Sequence, residues 1–133
     1  MLTLRRETDY AIHLLKHLTK TRGDFVSLRI LADATGISFL FLQKIARKLR
    51  QARLIKAGTG MSGGYCLNIA PDKITLKKII EAIEGAGSVF PCLCDKRAAK
   101  CPGKDKKCRL KNRLSKMNRQ IDDIFNKTKL TNL

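Results

Sequence analysis

Residues 27–51 read SLRILADATGISFLFLQKIARKLRQ, and the fold turns on them. Ser27 has the side-chain acceptor that caps a helix, and it precedes a short helical period over 28–34 with Leu31 and Ala32 inward. Thr35-Gly36 breaks that period. Ser38 then caps a longer helix to about Gln51, in which Leu42, Ile45, Ala46 and Leu49 recur at i, i+3, i+4 and i+7. Two helices joined by a short turn containing glycine form a helix-turn-helix, whose second helix enters a DNA major groove. The outward side of that helix carries Gln43, Lys44, Arg47, Lys48 and Arg50, basic and amide groups suited to phosphates and base edges.

The flanks complete the pattern. Upstream, Ala11, Leu14, Leu15 and Leu18 give an amphipathic helix from Leu4 to about Lys20, ended by Thr21-Arg22-Gly23-Asp24. Downstream, Leu54–Ala57 reads as a strand. The glycine-rich tip Gly58-Thr59-Gly60-Met61-Ser62-Gly63-Gly64 follows, then a return strand in which Tyr65, Leu67 and Ile69 alternate. A hairpin directly after a helix-turn-helix is the wing of a winged helix. The tip lacks Walker spacing and its terminal Lys-Ser/Thr, so a nucleotide phosphate loop is discounted. Thr75 caps a further helix with Leu76, Ile79, Ile80 and Ile83 inward, and Ile74 is placed to staple against Ile79. DNA contact is expected from Ser27, Ser38, Gln43, Lys44, Arg47 and Lys48, and from Thr59, Gly60 and Met61 at the wing.

Beyond Glu84 the character changes. Residues 89–108 have no consistent period and contain Pro91, Pro102 and four of the five cysteines, Cys92, Cys94, Cys101 and Cys108. The fifth, Cys66, lies on the wing strand and reads as a small buried residue. Structural zinc prefers cysteine pairs separated by two to four residues, a pattern that this set meets poorly. An iron–sulfur cluster is larger and tolerates wider spacing along a loop. Lys96, Arg97, Lys100, Lys104, Lys106 and Lys107 flank the thiols and favour anionic sulfur. Zinc and a bare thiol switch stay open as alternatives. From 109 onward, Leu110, Leu114, Met117, Ile121 and Ile124 alternate in steps of four and three, a coiled-coil seam that asks for a partner helix. The last residues, 128–133, are expected to fray.

Composition bounds the partners. The 133 residues carry 28 Lys+Arg against 11 Asp+Glu, a net charge of +17, which points to a polyanion. Aromatics make up only 5%, with no Trp, so base stacking on single strands has little material. No apolar run approaches the roughly 20 residues of a membrane span, and Glu7, Thr8 and Asp9 interrupt any signal-peptide stretch. A cytoplasmic protein is expected, in which cysteines serve ligation or redox chemistry rather than stable disulfides.

These residues resemble the small winged-helix repressors typified by the iron–sulfur regulator IscR, the nitric-oxide sensor NsrR and the cysteine-metabolism repressor CymR. The likeness runs through Thr8-Asp9-Tyr10-Ala11 and Ala34-Thr35-Gly36-Ile37-Ser38 to Leu42. It continues in Lys48-Leu49-Arg50, Leu54-Ile55, Gly60, Gly63-Gly64-Tyr65 and Cys108-Arg109-Leu110-Lys111. The resemblance implies a homodimer crossed by its C-terminal helices, with a 2Fe–2S or 4Fe–4S cluster in each loop held by three cysteines. It implies a fourth ligand that varies between members, at a position matching Asp9 of the other subunit in some and a histidine in others, for which His13 is the candidate. The chain departs from the pattern in three places. Its loop has four cysteines, so Cys92 or Cys94 is the first ligand. Thr59 stands where IscR-like members carry an arginine at the wing tip, and Leu40 where a polar reader is expected.

The expectation is therefore a mainly α protein with a small β-hairpin wing. A winged helix-turn-helix over 1–84 is followed by a cysteine-rich cluster-binding loop over 85–108 and a dimerisation helix and tail over 109–133. It is expected to act as a homodimeric transcriptional regulator, a repressor, on double-stranded DNA with a palindromic operator, its affinity set by the cluster. No small-molecule substrate and no enzyme activity are expected, because both histidines lie in the first helix and no acid–base or nucleophile constellation appears. The alternatives are the same fold acting as a cluster-free thiol or partner-protein sensor, and a zinc-stabilised RNA-binding protein.

Overall fold

The computed structural model describes residues 3–61, 63–93 and 108–133. Among them run α1 (Arg6–Lys20), α2 (Leu28–Thr35), α3 (Phe39–Gln51), β1 (Ile55–Gly58), β2 (Gly64–Leu67), α4 (Leu76–Glu84) and α5 (Arg109–Lys127). The helix-turn-helix forms at the expected residues because its caps are local. Ser27 Oγ accepts from the Ile30 N–H and Ser38 Oγ from the Phe41 N–H, each at 3.3 Å. Between the two helices Gly36 adopts the left-handed conformation (φ 70°), and its N–H closes α2 onto the Ala32 carbonyl at 2.9 Å. A side chain at Gly36 would be strained by that backbone.

One apolar core joins these elements. Ala11, Leu14, Leu15 and Leu18 of α1 meet Leu28 and Leu31 of α2, Leu42, Ile45, Ala46 and Leu49 of α3, and Ile79 and Ile83 of α4. Truncating one of the buried leucines to alanine costs about 2–5 kcal/mol, so this cluster fixes the angle at which α3 is presented. Ala32, expected inward, is only half-buried and packs at the margin. Helix α1 begins two residues later than its periodicity suggests. Arg5 is held extended (ψ 151°), with its N–H given to Glu84 Oε1 at 2.7 Å rather than to a helical turn.

Strands β1 and β2 pair antiparallel, Ile55 opposite Leu67 and Gly58 opposite Gly64. The hairpin is pinned to the start of α2 by two bonds, Val26 N–H to Tyr65 O at 3.0 Å and Tyr65 N–H to Val26 O at 2.8 Å. Gly64 makes this possible, since a Cβ there would strike the Val26 carbonyl. Cys66 is buried, as expected for a small apolar residue facing the core.

The tail corrects one expectation. Residues 128–133 do not fray. Leu130 is buried, and its N–H donates to the Ile74 carbonyl at 2.8 Å while the Leu76 N–H donates to Thr128 O at 2.8 Å. Lys16 Nζ donates to the Leu133 carbonyl at 2.6 Å. The tail thus completes the core under α1 and α4. Burial of a leucine with two backbone bonds outweighs the fraying tendency of a short polar end.

Candidate nucleic-acid interface and cysteine segment

Helix α3 buries Leu42, Ile45, Ala46 and Leu49, so the opposite face is fixed by the 100° turn per residue. Leu40, Gln43 and Arg47, at i, i+3 and i+7, lie along that exposed face, with Arg50 beside them. The capping serines use an oxygen lone pair on a backbone N–H, and each hydroxyl keeps its own proton to donate to a phosphate at a helix N-terminus. Phe39 and Phe41, flanking Leu40, are exposed, and each makes one ring contact within the chain. The Arg29 guanidinium sits 5.9 Å from the Phe39 ring centre, and Phe41 meets Tyr10 edge-on at 5.8 Å.

The lysines on this helix are not equivalent to Arg47. Lys44 Nζ lies 2.6 Å from Glu7 Oε1 and Lys48 Nζ lies 2.8 Å from Glu7 Oε2, while Lys48 also donates to the Ile83 carbonyl at 3.0 Å. Both ammonium groups therefore point towards the start of α1, and that of Lys48 also towards the end of α4. Hydrogen bonds from Lys44 and Lys48 hold the Glu7 carboxyl down at about 2, against an ordinary value of 4.5. Gln43 and Arg47 are exposed, and Lys44 keeps an exposed stem. At the wing, Thr59, Gly60 and Met61 are all exposed, and the Gly63 N–H closes the tip onto Gly60 O at 3.0 Å.

The cysteine segment is anchored at both ends. It leaves α4 at Glu84, whose Oε1 accepts from the Arg5 N–H and from the buried Thr8 hydroxyl at 2.9 Å, and whose other oxygen lies 3.5 Å from Arg5 Nε. Shortly afterwards the chain is latched to the middle of α5. Asn118 Oδ1 accepts from Ser88 Oγ at 2.7 Å and from the Val89 N–H at 3.0 Å, and Asn118 Nδ2 donates to Asp122 at 3.1 Å. Cys92 follows in a single turn, Pro91–Leu93, that packs on α5. Cys108 is the N-cap of α5, its sulfur accepting from the Lys111 N–H at 3.4 Å.

Cys92 and Cys108 are unpaired and half-buried, soft donors of the kind that thiolate-bound iron or zinc requires. Cys94 and Cys101 lie outside the described residues, as do the lysines and arginine between them. Among the described residues no three ligand side chains converge on one point. Asp9 and His13 share an exposed face of α1, one helical turn apart. In α5, Leu114 and Ile121 are half-buried, whereas Leu110, Met117 and Ile124 remain 63%, 50% and 61% exposed at seven-residue intervals. Helix α5 packs on α4 and is tied to it by a 3.2 Å pair between Lys77 and Asp122, yet contributes no fully buried residue to its own chain.

Sequence reasoning passed over Glu7, Thr8, Glu84 and Asn118. Their partners are 29 to 79 residues away, beyond the reach of any local pattern. An acid in the first turn of α1 and a threonine on its core-facing line are the only local hints.

The geometry agrees with comparisons against known proteins. The Rrf2 family model, described as an iron-dependent transcriptional regulator, matches residues 4–133. The HTH-type transcriptional regulator CymR of Bacillus subtilis is 35% identical over 92 residues, covering 68% of this chain and 67% of that relative. The HTH-type transcriptional regulator IscR of Aliivibrio salmonicida is 33% identical over 67 residues, 50% of this chain and 40% of that protein. The solved structure of CymR, the global cysteine regulator of B. subtilis, superposes with a TM-score of 0.73 at 28% identity, covering 99% of this chain and 95% of that one.

Proposed function

The chain belongs to the Rrf2 family of transcriptional regulators, and from that premise we propose that it is a homodimeric repressor whose grip on a palindromic operator is set by an iron–sulfur cluster in the cysteine segment. The observation that carries the proposal is the double anchoring of that segment. At one end Glu84 and the Ile83 carbonyl touch Thr8, Arg5 and Lys48, so that α4 ends against α1 and the recognition helix. At the other, Asn118 and the Cys108 cap join the segment to the helix that carries the exposed Leu110, Met117 and Ile124.

A second copy of the chain is the occupant that best fits that α5 face. Apolar side chains every seven residues match an antiparallel or parallel partner helix, and two recognition helices on one dimer match two half-sites. Cys108 and Cys101 would hold the cluster with Cys92 or Cys94, and Asp9 or His13 of the partner subunit's α1 is the candidate for the remaining position. When bound, the group would supply reversible electron transfer and reactivity towards small oxidants or nitric oxide. The chain's own residues do the rest. Movement at Cys92 would reach α5 through the Ser88–Val89 latch on Asn118, and movement at Cys108 would reach it through the cap itself. The end of α4 would pass either to α3 through the Ile83 carbonyl and Lys48. A change in spacing between two recognition helices then costs operator affinity. The expected home is the cytoplasm, where such thiols stay reduced.

A second reading is favoured by the similarity to CymR, described as a global cysteine regulator. In it the same fold senses through bare thiols or a protein partner. Anaerobic purification followed by iron and acid-labile sulfide analysis separates the two. Matching iron and sulfide with visible absorption supports the cluster, and colourless protein free of iron, zinc and sulfide supports the thiol reading. Stoichiometric zinc would instead favour the zinc-stabilised alternative. Cys92→Ala and Cys94→Ala, assayed separately, identify the first ligand by loss of iron.

A further inference from the structure

The first turn of the recognition helix exposes an apolar side chain, the most exposed of that helix's large hydrophobics. Leu40 is 76% exposed, and it lies in the first turn of α3 on the same line as Gln43 and Arg47. Single exposed leucines are ordinary on protein surfaces. This one stands between Phe39 and Phe41, which are 39% and 44% exposed and each have a ring contact within the chain, to Arg29 and Tyr10, so Leu40 is the most exposed of the three. The first residues of the second helix are the ones that a helix-turn-helix lays against base edges.

A leucine there can read only one thing. Of the groups lining a major groove, guanine N7 and O6, cytosine N4, adenine N7 and N6 and thymine O4 all need hydrogen-bonding partners, and the thymine C5 methyl alone is apolar. Covering a G·C edge with Leu40 would strip water from polar atoms and return nothing to them. Covering a thymine methyl removes apolar surface on both sides. Arg47 and Gln43, farther along the same face, remain free to contact phosphates or purines.

We propose that Leu40 is a specificity-determining residue that selects a thymine methyl in each operator half-site and rejects G·C pairs at that position. The inference rests on the DNA-binding reading of α3. Charge argues for a duplex rather than a protein as the occupant of this face, because the same exposed side of α3 carries Arg47 and Arg50 and Arg29 lies on the neighbouring Phe39, in a chain of net charge +17.

The test uses the full-length protein and a duplex that it enriches from a randomised pool. That duplex is resynthesised with deoxyuridine in place of each thymine in turn, which removes the C5 methyl and leaves base pairing intact. Binding is expected to weaken about fourfold at one thymine per half-site, the size of one methyl leaving an apolar contact. Leu40→Ala should bind the thymine and deoxyuridine duplexes alike, with an unchanged thermal unfolding curve because the side chain is exposed. Equal binding of the two duplexes by the unaltered protein would overturn the inference while leaving DNA binding intact. So would a methyl effect that survives in Leu40→Ala, or a change in self-association as that variant's only effect, which would make the face a protein contact. Failure to enrich any duplex would instead remove the DNA reading beneath it.

Discussion

Replacing Glu7 by Gln removes the one carboxylate that two recognition-helix lysines share. Glu7 is 15% exposed, with Lys44 60% exposed on one side and the more buried Lys48 on the other, so the two pairs differ in worth. The Lys44 pair is screened by solvent and contributes a few tenths of a kcal/mol, roughly the range of exposed ion pairs. The Lys48 pair is drier, and its loss leaves an ammonium held only by the Ile83 carbonyl, which raises the total to about 1–2 kcal/mol. For a chain of this size that lowers Tm by roughly 3–8 °C at pH 7. The pH dependence is the sharper readout. A carboxylate held down in the folded state stabilises fully above its unfolded value of 4.5, and the contribution fades as pH falls towards about 2. Thermal unfolding of the two proteins, followed by circular dichroism from pH 7 to pH 2.5, should therefore show a gap that is constant above pH 5 and closes below pH 4.5. Releasing Lys44 should also steepen the salt dependence of non-specific duplex binding by about one counterion. A gap that does not change with pH, or no gap at pH 7, would refute the clamp.

Other consequences follow from the same contacts. Thr8→Val keeps the buried volume but removes the hydroxyl donated to Glu84, and should destabilise by about 1–2 kcal/mol in denaturant unfolding. Met117→Glu places a charge on the exposed α5 face. It should convert a dimer to a monomer in sedimentation at micromolar concentration, without the loss of helicity that a core substitution would cause. Gly64→Ala sets a methyl against the Val26 backbone, and should detach the wing and cost about 1–3 kcal/mol in unfolding measurements.

What could be read from the sequence was what local chemistry decides. Ser27, Ser38 and Thr75 announce helix starts because their side chains bond within three residues, and all three cap as expected. The core line of α3 is legible because its period survives without any partner. The tail was not legible. Leu130 gains its burial and its bond to Ile74 from a segment 56 residues earlier, and nothing near it in sequence signals that dock. The electrostatics of α3 were half-legible. Lys44 and Lys48 read as groove-facing cations, but their orientation depends on Glu7, 37 and 41 residues away. The cysteines announce a sulfur-ligating segment, whereas the Asn118 latch that ties it to α5 falls between seam positions that a heptad reading ignores.

The most direct measurement is the affinity of anaerobically purified protein for its enriched duplex, at one salt concentration, before and after chelation of iron. A change of at least tenfold, about 1.4 kcal/mol, is expected, together with its loss in Cys108→Ser. Identical affinity in both states, from protein that held stoichiometric iron and sulfide beforehand, would contradict the coupling between the cysteine segment and the recognition helices.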